Sequence, residues 1–75
     1  MSKLPIISGI KVVKALAEIG YKIDHQTGSH MILRCENAPH RRVTVPNHDE
    51  IDRGTLLSII KQSGLTKEEF LDLLK

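Results

Sequence analysis

YKIDHQTGSHMILRCENAPHRRVTVPN, residues 21–47, decides the fold. Three runs in it alternate. Tyr21, Ile23 and His25 alternate with Lys22, Asp24 and Gln26. Met31, Leu33 and Cys35 alternate with His30, Ile32 and Arg34. Arg41, Val43 and Val45 alternate with Arg42 and Thr44. A period of two belongs to a pleated strand, whose side chains point to opposite faces in turn. Thr27-Gly28-Ser29 and Glu36-Asn37-Ala38-Pro39 read as turns between the runs. Pro46 is expected to stop the pairing. The stretch therefore predicts three short antiparallel strands.

Opposed residues in an antiparallel pair share a face. Placing Ile23 opposite Leu33 also sets Asp24 opposite Ile32 and Gln26 opposite His30, with a three-residue loop at 27–29. A two-residue loop is expected to turn one apolar set outward, which a single core does not tolerate. The covered face then takes Tyr21, Ile23, Met31, Leu33, Cys35, Val43 and Val45. The open face takes Gln26, His30, Ile32, Arg34, Arg42 and Thr44, edged by Lys22 and Asp24. His25 has the inward parity and is expected to pack half-buried at the strand end.

The flanking sequence supplies the cover. Ser8 is an N-cap type, and Ile10, Val13, Leu16 and Ala17, joined by Val12 and Ile19, form a helical apolar stripe over roughly 9–19. Lys11, Lys14 and Glu18 fall on its other side, and Gly20 is read as a left-handed stop. Asp52 can cap a second helix over 53–63, with Leu56, Leu57, Ile59 and Ile60 as its buried face and Gly64 at its end. Thr66 and Glu69 form a capping box for a last short helix carrying Phe70, Leu71 and Leu74. The expected architecture is α+β, in the order helix, three strands, helix, with both helices on one sheet face and a short C-terminal helix. The sequence shows no repeat or linker, so residues 1–75 are read as one domain.

Composition narrows the function. Seventy-five residues with 40% apolar content are enough for a packed globule near the lower size limit. Aromatics are only 3%, Tyr21 and Phe70, so there is no stacking platform for single-stranded bases. The net charge of +2 is mildly basic and compatible with nucleic acid. Cys35 is the single cysteine, which excludes an intrachain disulfide and fits a reducing cytoplasm. No signal peptide or membrane span is read from the N-terminal run IISGIKVVKALA, because Lys11 and Lys14 interrupt it.

The chemistry converges on the open face. An imidazole among two guanidiniums suits a phosphodiester: arginines grip phosphate oxygens, and histidine exchanges protons near neutral pH. The plainer readings stand beside this one. A strand histidine is often a solvated surface residue, and Arg34 and Arg42 are also the charges that guard a sheet edge. His48, in the loop after the third strand, is a candidate for a second proton transfer or a phosphate contact. Lys11 is a candidate phosphate contact, equally explained as a solvated helix position. His40 reads as a solvated turn residue and Cys35 as an inward thiol. Four histidines and one cysteine show neither CxxC nor HxxxH spacing, so no metal site is expected.

Gly28-Ser29-His30, TVPNH at 44–48 and GTLLSIIKQSGL at 54–65 resemble the HicA toxins, also called YcfA-like mRNA interferases. The resemblance runs from Ser8-Gly9 to Leu65. It implies a double-stranded-RNA-binding-like fold and a cytoplasmic toxin of a toxin–antitoxin system, active in stress. It implies cleavage of mRNA without a metal or other cofactor, with His30 as the catalytic group. Gly28 would permit the turn, Ser29 would orient the imidazole or the RNA, and His48 matches a position where the family often has histidine. It also implies a HicB-type antitoxin that covers the His30 face and carries any DNA binding. Two other functions compete: a non-catalytic double-stranded-RNA-binding module, and an assembly protein that uses Ile32 as an anchor. The acidic Asp49, Glu50 and Asp52 before the second helix weigh against duplex binding there.

Overall fold

A computed structural model describes residues 4–75. The chain runs α1 (Gly9–Ala17), β1 (Tyr21–Thr27), β2 (His30–Cys35), β3 (Arg42–Pro46), α2 (Arg53–Ser63) and α3 (Lys67–Leu73). The strands form one antiparallel sheet in the order β1-β2-β3. This is the expected α+β order, with α1 and α2 packed on the sheet and α3 against both helices.

The caps form as the sequence predicts. The Ser8 side chain accepts from the Lys11 N–H, and the Asp52 carboxylate accepts from the Thr55 N–H. Thr66 and Glu69 complete a reciprocal capping box. Gly64 ends α2 at φ 82°, the left-handed conformation glycine adopts without penalty. α1 stops at Ala17, two residues earlier than expected, and the chain turns through Glu18 to Gly20.

The core is mostly aliphatic, with both aromatic residues buried in it. Val12, Ala15 and Leu16 of α1 meet Tyr21, Met31, Leu33, Val43 and Val45 of the sheet, and Leu56, Ile59, Ile60 and Phe70 close it. Leu4, Ile7 and Ile51 join from outside the regular elements. The α1 stripe holds at Val12 and Leu16, but Ile10 and Ala17 are exposed and Ala15 is buried in their place. Leu57 of α2 is likewise exposed. Ile23 has the inward register but remains 49% exposed, because β1 is an edge strand that the helices cover only near Tyr21.

The hairpin departs from the expected register in one place. Tyr21, Lys22 and Ile23 pair with Cys35, Arg34 and Leu33 as predicted. A bulge then inserts Asp24, and His25, Gln26 and Thr27 pair with Ile32, Met31 and His30. The loop has two residues, Gly28 and Ser29, rather than three. Gly28 lies at φ 57°, and among the described residues His40 is the one non-glycine with positive φ. Positive φ at the first loop position alone is the pattern of a type II′ hairpin turn. The bulge reconciles this tight turn with an intact apolar face, because an extra residue reverses the parity of everything beyond it. Gln26 therefore leaves the open face and His25 joins it.

The ladder ends on Pro46 as expected, with Pro46 itself the last paired residue, opposite His30. A proline is tolerated at the end of an edge strand, where no ladder N–H is required of it.

Candidate functional site

The register lays three rows across the open face. Thr27, His30 and Pro46 form one; His25, Ile32 and Thr44 the next; Lys22, Arg34 and Arg42 the third. His30 is exposed, as its outward parity predicts, and its ring makes no hydrogen bond among the described residues. Arg34 and Arg42 are exposed and directly opposed. His30 and Arg34 are four residues apart on β2, about 13 Å at strand rise. The imidazole and the guanidiniums thus occupy opposite ends of a shallow face, with Ile32 half-buried between them.

The turn that presents His30 is tied down from one side. The Ser29 carbonyl accepts from the Asn47 N–H at 2.6 Å, joining the hairpin tip to the chain after β3. The His48 carbonyl accepts from the Gly9 N–H at 2.9 Å, which fixes that same segment to the start of α1. His30, Thr44 and His48 line a cleft of about 350 Å³ with Asp52, Thr55 and Gln62 of the α2 region. Gln62 accepts the Thr44 N–H through Oε1 at 3.2 Å, so α2 satisfies part of the free β3 edge. Among the described residues no three His, Cys, Asp or Glu side chains are grouped to hold a metal ion.

Asp24 and His25 form a contact that parity alone forbids. Neighbouring residues in a regular strand point to opposite faces. At the bulge, the Asp24 carboxylate lies 2.9 Å from His25 Nδ1. This hydrogen bond is the main cause that holds the Asp24 carboxyl below its ordinary range; the charges of His25, Arg42 and Arg34 assist, and partial desolvation opposes. Lys22 is paired with Glu36 at 2.6 Å, and that hydrogen bond raises its ammonium above the usual value.

The structure thus brings Gly28, Ser29, His30 and His48 to one end of the open face and places Arg34 and Arg42 at the other. Lys11 is not among them. It lies on α1, in the helical layer behind the sheet, beside Lys14, Glu18 and the end of α3. His25 is half exposed rather than packed inward, and its place on the open face has no signal in the sequence. Thr55 and Gln62 are equally unmarked there, since they reach the cleft through the packing of α2. No helix among the described residues is long and apolar enough to cross a membrane.

Fold and site together define a small α+β domain that presents an exposed histidine and an opposed arginine pair from an uncovered sheet. Residues 9–65 match the family described as HicA toxin of bacterial toxin–antitoxin. The match covers well over half of the chain, which belongs to this toxin family and therefore to a system with an antitoxin partner. No curated protein gives a significant match.

Proposed function

We propose that this toxin is a metal-independent endoribonuclease that cleaves mRNA in the cytoplasm, with His30 as a proton-transfer group. The observation that carries the reading is the exposed His30 on the open face of a chain in the HicA family, on the same sheet as Arg34 and Arg42. RNA contains its own nucleophile. Removing the 2′-hydroxyl proton lets that oxygen attack the adjacent phosphorus. Gly28 and Ser29 set the position of His30, and His48 lines the cleft beside it. Arg34 and Arg42 engage phosphates farther along the strand. Lys11 lies behind the sheet, where it would meet only RNA that wraps the domain.

The same face is the surface a HicB-type antitoxin would cover, using the half-buried Ile32 as an apolar anchor among polar contacts. Any DNA binding would come through that partner.

The test compares wild type with His30→Ala, freed of antitoxin, on mRNA in the presence of a metal chelator. Because His30 is exposed, the variant should keep the wild-type circular dichroism and melting temperature. It should lose cleavage by about 10²–10⁴-fold, the usual contribution of a positioned acid or base, and it should no longer arrest growth. Full toxicity of the variant would remove His30 from the mechanism. RNA binding by wild type without cleavage would instead favour the non-catalytic binding module.

A further inference from the structure

Cleavage by 2′-oxygen attack needs two proton transfers on opposite sides of the phosphorus. One group takes the proton of the 2′-hydroxyl; another supplies a proton to the departing 5′ oxygen. His30 accounts for one. Resting on the ribonuclease reading above, we propose that His25, held by Asp24, is the second proton-transfer group and protonates the 5′ oxygen.

The placement comes from the bulge. His25 pairs with Ile32 and so stands in the middle row, one strand over and one row along from His30. Such diagonal neighbours lie about 7–8 Å apart at the backbone. From that spacing the rings need only splay outward to stand on either side of one phosphate, each within a hydrogen bond of about 3 Å of its oxygen. A phosphate seated on the diagonal between them then has His25 and His30 on opposite sides, with Thr27 and Ile32 at the other two corners.

The chemistry of the pair agrees. The Asp24 carboxylate occupies Nδ1, which orients the ring and leaves Nε2 as the nitrogen free to exchange a proton. When the ring carries its second proton it forms a charge pair with Asp24, and Nε2–H is the proton it gives. His30 has no such carboxylate among the described residues and serves as the base. The charged groups around His25 are Asp24 and Lys22 on its own strand, His30 and Arg34 on β2, and Arg42 on β3.

The step balances. The 2′ oxygen forms a bond to phosphorus as its proton passes to His30. The bond from phosphorus to the 5′ oxygen breaks as that oxygen takes the proton from His25 Nε2. The products are a 2′,3′-cyclic phosphate and a 5′-hydroxyl. Solvent then returns a proton to His25 and removes one from His30.

His48 is the competitor, since it lines the cleft with His30. It lies beyond Pro46, however, at the end of the face away from Arg34 and Arg42.

The experiment uses two RNA substrates that differ at the bond wild type cleaves. One is unmodified; the other has sulfur in place of the bridging 5′ oxygen. A thiolate leaves without being protonated, so loss of the general acid matters little on the second substrate. His25→Ala should slow the unmodified RNA by about 10²–10⁴-fold and the sulfur-linked RNA by less than about tenfold. Asp24→Asn should show a smaller loss of the same kind, and His30→Ala should slow both substrates. Unchanged melting curves confirm that these exposed variants fold. Wild-type speed in His25→Ala, equal losses on both substrates, or the sulfur rescue appearing in His48→Ala instead would each overturn the assignment while leaving the ribonuclease intact. Failure of wild type to cut either RNA would overturn both readings.

Discussion

Gly9 lies so close beneath Pro46 that a Cβ built on it would stand 2.1 Å from the Pro46 carbonyl oxygen and 3.2 Å from Met31 Cε. The obstructing atom is backbone and has no rotamer to change. The contact locks the start of α1 to the end of β3, and Pro46 is the residue paired with His30. Helix, strand and candidate site meet at one point where only a hydrogen atom fits.

Gly9→Ala is therefore expected to destabilise the fold by at least the roughly 1–3 kcal/mol typical of core overpacking. The urea midpoint should fall with the denaturant slope unchanged. Because the strain is relieved only by moving Pro46 or α1, RNA cleavage should decline at temperatures where the protein is still folded. An unaltered midpoint would mean that the two elements slide apart freely.

Gly28 poses the opposite case. A Cβ there would meet nothing within 4 Å, yet its φ of 57° is left-handed. The demand is conformational, not spatial. Gly28→Asn should cost less than other substitutions, since asparagine is among the residues that primed turns accept at positive φ. Gly28→Val should cost about 1–2 kcal/mol from the left-handed penalty, and more where branching adds crowding. Thermal melts of the two variants measure the difference. If the turn instead relaxes to another type, the backbone amide shifts of Thr27 to His30 will change and cleavage will fall faster than stability.

The middle strand was the most legible part of the chain. Met31, Leu33, His30 and Arg34 differ sharply in polarity, so alternation alone assigns their faces, and the core enforces it. The caps at Ser8, Asp52 and Thr66 were legible for a similar reason: each depends on a local side-chain bond to a backbone N–H. The Asp24 bulge was not legible. Asp24, His25 and Gln26 are all polar, so either parity reads equally well, and only the turn geometry decides between them. Ile51, Leu4 and Ile7 gave no signal because lone apolar residues outside a repeat have no period. Ile10 and Leu57 misled because a helical stripe fixes a face only to within about one position, and neighbours settle the rest.

Tyr21 links sheet stability to alkaline pH. It is 2% exposed, and its hydroxyl donates to the Ser63 carbonyl at 3.0 Å. Tyr21→Phe should cost about 0.5–1.5 kcal/mol for the hydrogen bond, and up to about 1–3 kcal/mol if the carbonyl is left dry. Burial pushes the phenol above its ordinary value of 10.0; the charge of Cys35 adds to this and Arg41 opposes it. The folded state thus keeps the proton to higher pH than the unfolded chain. That contribution is fully present below pH 10.0 and is lost as pH rises through the folded value. Wild-type stability should therefore fall more steeply than that of Tyr21→Phe above this point. Urea titrations across the alkaline range check it, and parallel curves would contradict the assignment.

Arg34 and Arg42 oppose each other directly in the ladder, where like charges disfavour the fold. Asp24 is close enough to temper them, and its carboxyl responds to both. Removing either arginine should leave the melting temperature unchanged or raise it slightly. RNA affinity should move the other way. For single-stranded RNA, each phosphate no longer neutralised by a guanidinium reduces the slope of log affinity against log salt by about 0.7. Arg34→Ala and Arg42→Ala should each lower that slope by about this amount, and the double variant by about twice as much. Binding by the His30→Ala variant, which on the proposed mechanism no longer cleaves, titrated with salt, measures it without interference from cleavage. A weakened affinity with an unchanged slope would place the guanidiniums away from phosphate. Their role would then lie in contact with the antitoxin proposed to cover this face, and the same substitutions would weaken that complex instead.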